Sequence, residues 1–142
     1  YIPMHIYHNT NTCDNSICEC LLMRIQYYLV TNSRRLSKIG NRIAIADNFW
    51  SRFRGLLGRS SLEEGEGLLI SPCSSIHCIG MKFTIDAIFL DKDYRVVSIH
   101  PNLKPGKMAS NRKARHVLEL KAGEAAKHGI EVGEQLIIKP NH

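Results

Sequence analysis

No stretch of the 142-residue chain approaches the roughly 18 to 20 consecutive apolar residues that a spanning helix requires, which excludes a membrane-spanning protein. The cysteines number five, and an odd count does not make a complete disulfide framework. None is needed: a chain of this length buries roughly 68 to 70% of its unfolded surface, enough for a core without disulfides or a structural metal. Acidic residues are almost missing from 23–60, which holds eight basic side chains against the single Asp47. No stacking-aromatic signature or recognised reading motif accompanies that basic stretch, so charge alone is a thin case for a nucleic-acid partner.

What is present is the composition of a soluble globular protein, 44% apolar and 23% charged, with a net charge of +6. Residues 61–142 balance eleven basic against ten acidic side chains, so nearly all the surplus sits in the earlier stretch. Glu19 precedes and Arg24 interrupts the one early apolar stretch, Leu21 to Val30, and no small-residue cleavage motif follows. The chain therefore reads as cytoplasmic, with residues 1–22 a poorly ordered extension and 23–142 a single β-rich domain.

Strand signals dominate the rest. IQYYLV from Ile25 is rich in β-branched and aromatic residues, and RIAIA at Arg42 to Ala46 alternates after the turn signal Gly40-Asn41. Asp47 then stands as an N-cap before NFWSRFRGLL, whose Phe49, Trp50, Phe53, Leu56 and Leu57 share one helical face, with Gly58 at the stopping position. Arg52 and Arg59 project beside that apolar stripe and could frame an anion site, or serve as stems covering the rim of the core. GLLIS and KFTIDAIFL follow as strands, the second alternating so as to favour one buried and one partly wet face, and DKDY turns it back into RVVSIH. Residues 102–115 hold five basic and no acidic residues with Pro105-Gly106 and read as a long exposed loop. HVLEL, a short helix AGEAAKHG stopped by Gly129, and EQLIIK complete the chain. The expected fold is mainly β (α+β), a compact antiparallel barrel-like or sandwich domain with two short helices.

Chemistry concentrates in PCSSIHCIGMKFTID, residues 72–86. Cys73, His77 and Cys78 offer a soft ligand set, but no fourth ligand is identifiable and adjacent His77 and Cys78 tend to point apart in extended chain, so no metal site is assigned. Cys73 with His77 as its base would make a thiol nucleophile if cations lowered the thiol pKa. Otherwise both cysteines are small buried hydrophobes and His77 a hydrogen-bonded core histidine. Gly80 points to a positive φ just before the strand. Asp86 interrupts a largely apolar strand, so it either faces water or is buried against a cation such as Arg52 or Arg59.

The runs ADNFWSRFRGLLGR, SIHCIGMKFTIDAIFLD and ARHVLELKAGEAAKHGIEVGE resemble the bacterial and archaeal family known as domain of unknown function 192. The resemblance covers about Ile43 to Leu136 in unbroken order. Its motifs fall on Arg52, Gly55, Leu56 and Arg59, then on Ser75, Ile76, His77, Gly80, Met81, Asp86 and Asp91, then on Val117 to Leu120 with Gly123. Cys78 stands where the family is not expected to have cysteine. The resemblance implies a small, mainly β domain with no known cofactor and no established activity.

The function expected is a binding module for a small polar or anionic ligand, with Arg52, Arg59, Cys73, Ser75, His77 and Asp86 as candidate binding residues. The alternatives are a hydrolytic or thiol-based enzyme using Cys73 and His77, and a nucleic-acid-binding protein. No membrane partner and no cofactor are expected, and the sequence does not fix an oligomeric state.

Overall fold

The computed structural model describes residues 26–46 and 61–141. The N-terminal extension, its three cysteines and the helix expected after Asp47, with Arg52 and Arg59, lie outside the described residues. The elements run β1 (Tyr27–Asn32), β2 (Lys38–Ala46), β3 (Glu66–Ile70), β4 (Ser75–His77), β5 (Ile85–Leu90), β6 (Val96–Leu103), β7 (Met108–Ser110), β8 (His116–Lys121), α1 (Glu124–Lys127) and β9 (Leu136–Asn141). Seven strands form one sheet in the order β6-β5-β8-β3-β2-β1-β9, and β4 pairs with β7 in a separate two-stranded ribbon.

The mainly β expectation holds, with three corrections. The sheet is mixed rather than wholly antiparallel, because β2 and β3 run parallel, with Arg42 opposite Glu66 and Ala46 opposite Ile70. It does not close into a barrel: its edge strands β6 and β9 meet at one corner, through the bridge between Arg95 and Gln135. The segment expected to be a long loop contains β7, which pairs antiparallel with β4 through Ser75–Ser110, Ile76–Ala109 and His77–Met108.

Period-two alternation divides the sheet residues between two cores. Ala44, Leu68, Ile70, Ile85, Ala87, Phe89 and Val117 point to one side, where Ile76, Cys78 and Ala109 of the ribbon cover them. Ile43, Leu69, Ile88, Leu90, Leu118 and Leu120 point to the other, against Ala125, Ile130 and Leu136. Each of the fully buried Ile, Leu, Val and Phe side chains contributes about 1.5–3 kcal/mol, the main driving term. With cover on both sides, β5 is buried at all six positions and the wet face expected of it is not there. Close approach has its own requirement at Gly67, where a Cβ would lie 2.5 Å from the Glu119 carbonyl oxygen of the neighbouring strand.

Candidate functional site at the ribbon and its basic turns

The ribbon places the mid-chain motif. In β4 the side chains alternate, Ile76 buried and Ser75 and His77 exposed, so the hydroxyl and imidazole share the outward face with their partners Ser110 and Met108. The hydrogen-bonded core histidine of the alternative reading is therefore corrected, because the pleat turns His77 away from the core. Cys78 is fully buried, as that reading expected. Burial, with a contribution from Glu119, pushes its thiol up to about 11, so it stays protonated and unreactive at neutral pH.

Cys73 precedes the strand. Its backbone N–H donates to Arg115 O at 2.8 Å, and its thiol donates to Ser75 O at 3.1 Å. Together with Pro72, Ser74, Ser75, Ala114 and Arg115 it lines a shallow hollow of about 370 Å³. The Ser71–Pro72 peptide at its edge is cis. Next to it, His116 Nδ1 lies 2.6 Å from Ser71 Oγ, and its ring stacks on Tyr94 with centroids 4.4 Å apart. Burial lowers the His116 pKa, opposed by Asp91 and reinforced by Arg115, so this imidazole favours its neutral form.

The turn after β7 is braced rather than loose. Asn111 N donates to Ser74 O at 2.9 Å, Asn111 Nδ2 to Ser98 Oγ at 3.1 Å, and Lys113 N to Asn111 Oδ1 at 2.9 Å. These bonds fix the turn that carries Arg112, Lys113 and Arg115, all three exposed, and Arg115 lines the hollow. No ion pair involves them among the described residues, and the same is true of Lys82, Lys104 and Lys107 on the same ribbon assembly. Acidic partners lie elsewhere: Glu63 pairs with Arg42 at 3.3 Å, Glu64 with Lys127 at 2.8 Å and Glu134 with Arg35 at 3.8 Å. Six basic side chains of the ribbon and its turns are thus without an ion pair among the described residues.

Arg52 and Arg59, the cations expected against Asp86, lie outside the described residues. Asp86 is fully buried, and its partners among the described residues are backbone donors. Its Oδ1 accepts from Asn102 N at 2.9 Å, and its Oδ2 accepts from Gly123 N at 3.0 Å and Ala125 N at 2.9 Å. Three N–H bonds to one carboxylate make it the brace between β6 and the start of α1. It points to the core opposite the ribbon, so the structure does not bring it together with Cys73, Ser75 and His77. Cys73 and Ser75 do meet, at the hollow; His77 lies farther along the same outward face.

Two groups escaped sequence reading. Arg115 was one basic residue among five, and only the bond from Cys73 N to its carbonyl puts it at the hollow. Glu119 is 6% exposed, facing the ribbon-side core between Leu68 and Ala87 of the neighbouring strands. Burial pushes its carboxyl up to about 8, so it carries a proton at neutral pH. The signal was available: like Asp86, it is the lone acid in an apolar strand. Among the described residues no three His, Cys, Asp or Glu side chains cluster as metal ligands, and no helix is long and apolar enough to cross a membrane.

No curated protein matches the chain in sequence. Solved structures that share its fold include these two. A protein of unknown function from Novosphingobium aromaticivorans DSM 12444 is 25% identical with a TM-score of 0.65, over 78% of this chain and 82% of the other. A Sinorhizobium meliloti 1021 protein described as a "putative transcription regulator" is 21% identical with a TM-score of 0.69, over 79% of this chain and 92% of the other; at that identity the likeness shows the fold alone. The family model of DUF192, Uncharacterized ACR, matches residues 28–138, and the chain belongs to that family.

Proposed function

We propose that the chain is a binding module for a small anionic ligand, seated in the hollow beside Arg115. One observation carries this reading: three exposed cations, Arg112, Lys113 and Arg115, have no ion pair among the described residues, yet backbone and side-chain hydrogen bonds fix the turn that bears them. Arg115 supplies the planar fork that suits a phosphate or carboxylate, and the Ser74 and Ser75 hydroxyls at the same hollow add donors. Arg52 and Arg59 lie outside the described residues. A cytoplasmic setting belongs to the same reading.

The enzyme alternative asks His77 to activate Cys73. The Cys73 thiol donates to Ser75 O instead, and among the described residues no hydrogen bond reaches the His77 ring, so the binding reading is preferred. A thermal-shift screen of inorganic and carboxylate anions tests it: stabilisation by at least one of them is expected, rising with its concentration. Silence across phosphate, sulfate and small carboxylates contradicts the reading.

A further inference from the structure

The end of the ribbon away from the Arg115 hollow carries a surface that anion binding does not use. Two tight turns meet there. Cys78 to Met81 closes through Met81 N donating to Cys78 O at 3.2 Å, with Gly80 at φ 85°. Lys104 to Lys107 closes through Lys107 N donating to Lys104 O at 3.1 Å, with Pro105 second and Gly106 third at φ 84°. Proline second and a left-handed glycine third are the requirements of a type II turn. The turns are bonded to one another, Cys78 N to Lys107 O at 2.8 Å and Gly106 N to Cys78 O at 2.9 Å, and Cys78 is anchored in the core.

This rigid tip displays Ile79, 62% exposed, and Met108, 69% exposed, two of the four large apolar side chains left exposed among the described residues. Lys82, Lys104 and Lys107 surround them, exposed and without an ion pair among the described residues, and neither 78–85 nor 102–115 contains an acidic residue. We propose that this tip docks on an anionic lipid bilayer, with Ile79 and Met108 entering the boundary between headgroups and acyl chains and the three lysines lying at headgroup level.

Charge complementarity and shape both favour that occupant. Apolar side chains and cations each add to attachment at an anionic interface, and holding them on bonded turns lowers the ordering cost. A nucleic acid would reward the lysines but not Ile79 and Met108, and within 77–84 and 104–110 the His77 imidazole is the one exposed aromatic ring, too little for a stacking platform. The other exposed apolar pair is less suited: Val132 shares its hollow with Glu131 and Glu134, which offset Arg34 and Arg95 there, and Leu36 follows Arg35, already paired with Glu134. A sequence without a spanning run gives no reason to expect a membrane partner, but surface attachment requires no span.

Flotation of the full chain with vesicles tests the proposal. It should float with phosphatidylcholine vesicles containing phosphatidylserine and not with phosphatidylcholine alone. Ile79→Ser with Met108→Ser, which leaves the charge unchanged, should lower partitioning about tenfold or more, and Lys104→Gln or Lys107→Gln about fivefold each. Leu36→Ser with Val132→Ser, equally exposed, should change nothing. The proposal is overturned by failure to float with phosphatidylserine vesicles, by flotation indifferent to the Ile79 and Met108 changes, or by a duplex DNA that binds the tip more tightly than the vesicles and displaces them. Soluble anions read the Arg115 hollow and vesicles read the tip, so either reading can fail while the other stands.

Discussion

Asp86 Oδ1 accepts the backbone N–H of Asn102 at 2.9 Å, across the point where β5 and β6 slip register between Ile85 and Ala87. The irregularity directs the Asn102 N–H out of the ladder, and Asn102 itself sits at φ 54°. The same carboxylate receives Gly123 N and Ala125 N, so one side chain fixes a strand irregularity and a helix start together. Asp86→Ala leaves three donors without acceptors and should cost about 3 kcal/mol or more in urea unfolding. Asp86→Asn retains one acceptor oxygen and should cost less. In the Ala variant, hydrogen exchange at Gly123 and Ala125 should quicken most; unchanged exchange there would show that the brace is not made.

Glu119 gives a pH dependence of definite sign. Its carboxyl titrates near 8 in the folded chain against an ordinary value of 4.5, so between those values the folded state holds a proton that the unfolded state has lost. Stability from this group therefore falls as pH rises through that window and levels off above pH 8. Glu119→Gln removes the titration: the variant should match the wild type near pH 4.5 and exceed it by several kcal/mol above pH 8. Parallel stability curves for the two proteins would refute the assignment.

The strands read from sequence were those whose own composition specifies them, such as the β-branched IQYYLV and the alternating RIAIA. β7 was hidden because Met108-Ala109-Ser110 offers one small buried residue, and its pairing depends wholly on β4, about thirty residues earlier along the chain. The wet face expected for β5 rests on Lys82, Thr84, Asp86 and Ile88: the first two precede the first strand residue, Ile85, and the last two are buried against the second core. Parallel pairing of β2 and β3 has no local signature, since it is decided by the path of the connection between them. At the site, residue types were legible and orientation was not. The density of Cys73, Ser75 and His77 was visible, while the meeting of Cys73 with Arg115 requires the fold.

The two described mid-chain cysteines should differ sharply in reactivity. Cys78 is fully buried with its thiol at about 11, whereas Cys73 is half-buried at the edge of the hollow. Brief iodoacetamide treatment at neutral pH, mapped by peptide mass spectrometry, should label Cys73 well before Cys78. In urea the difference should vanish. Equal labelling in the folded protein would mean that the ribbon does not shield Cys78.

The account depends most on Arg115 as the cation that receives an anion beside Cys73 and Ser75. Isothermal titration with inorganic phosphate, run on the wild type, Arg115→Lys and Arg115→Ala, tests it most directly. The wild type should bind, the lysine variant should bind more weakly because it keeps the charge and loses the fork, and the alanine variant should lose about tenfold or more. Phosphate affinity equal in all three proteins, with folding unchanged, would contradict the account.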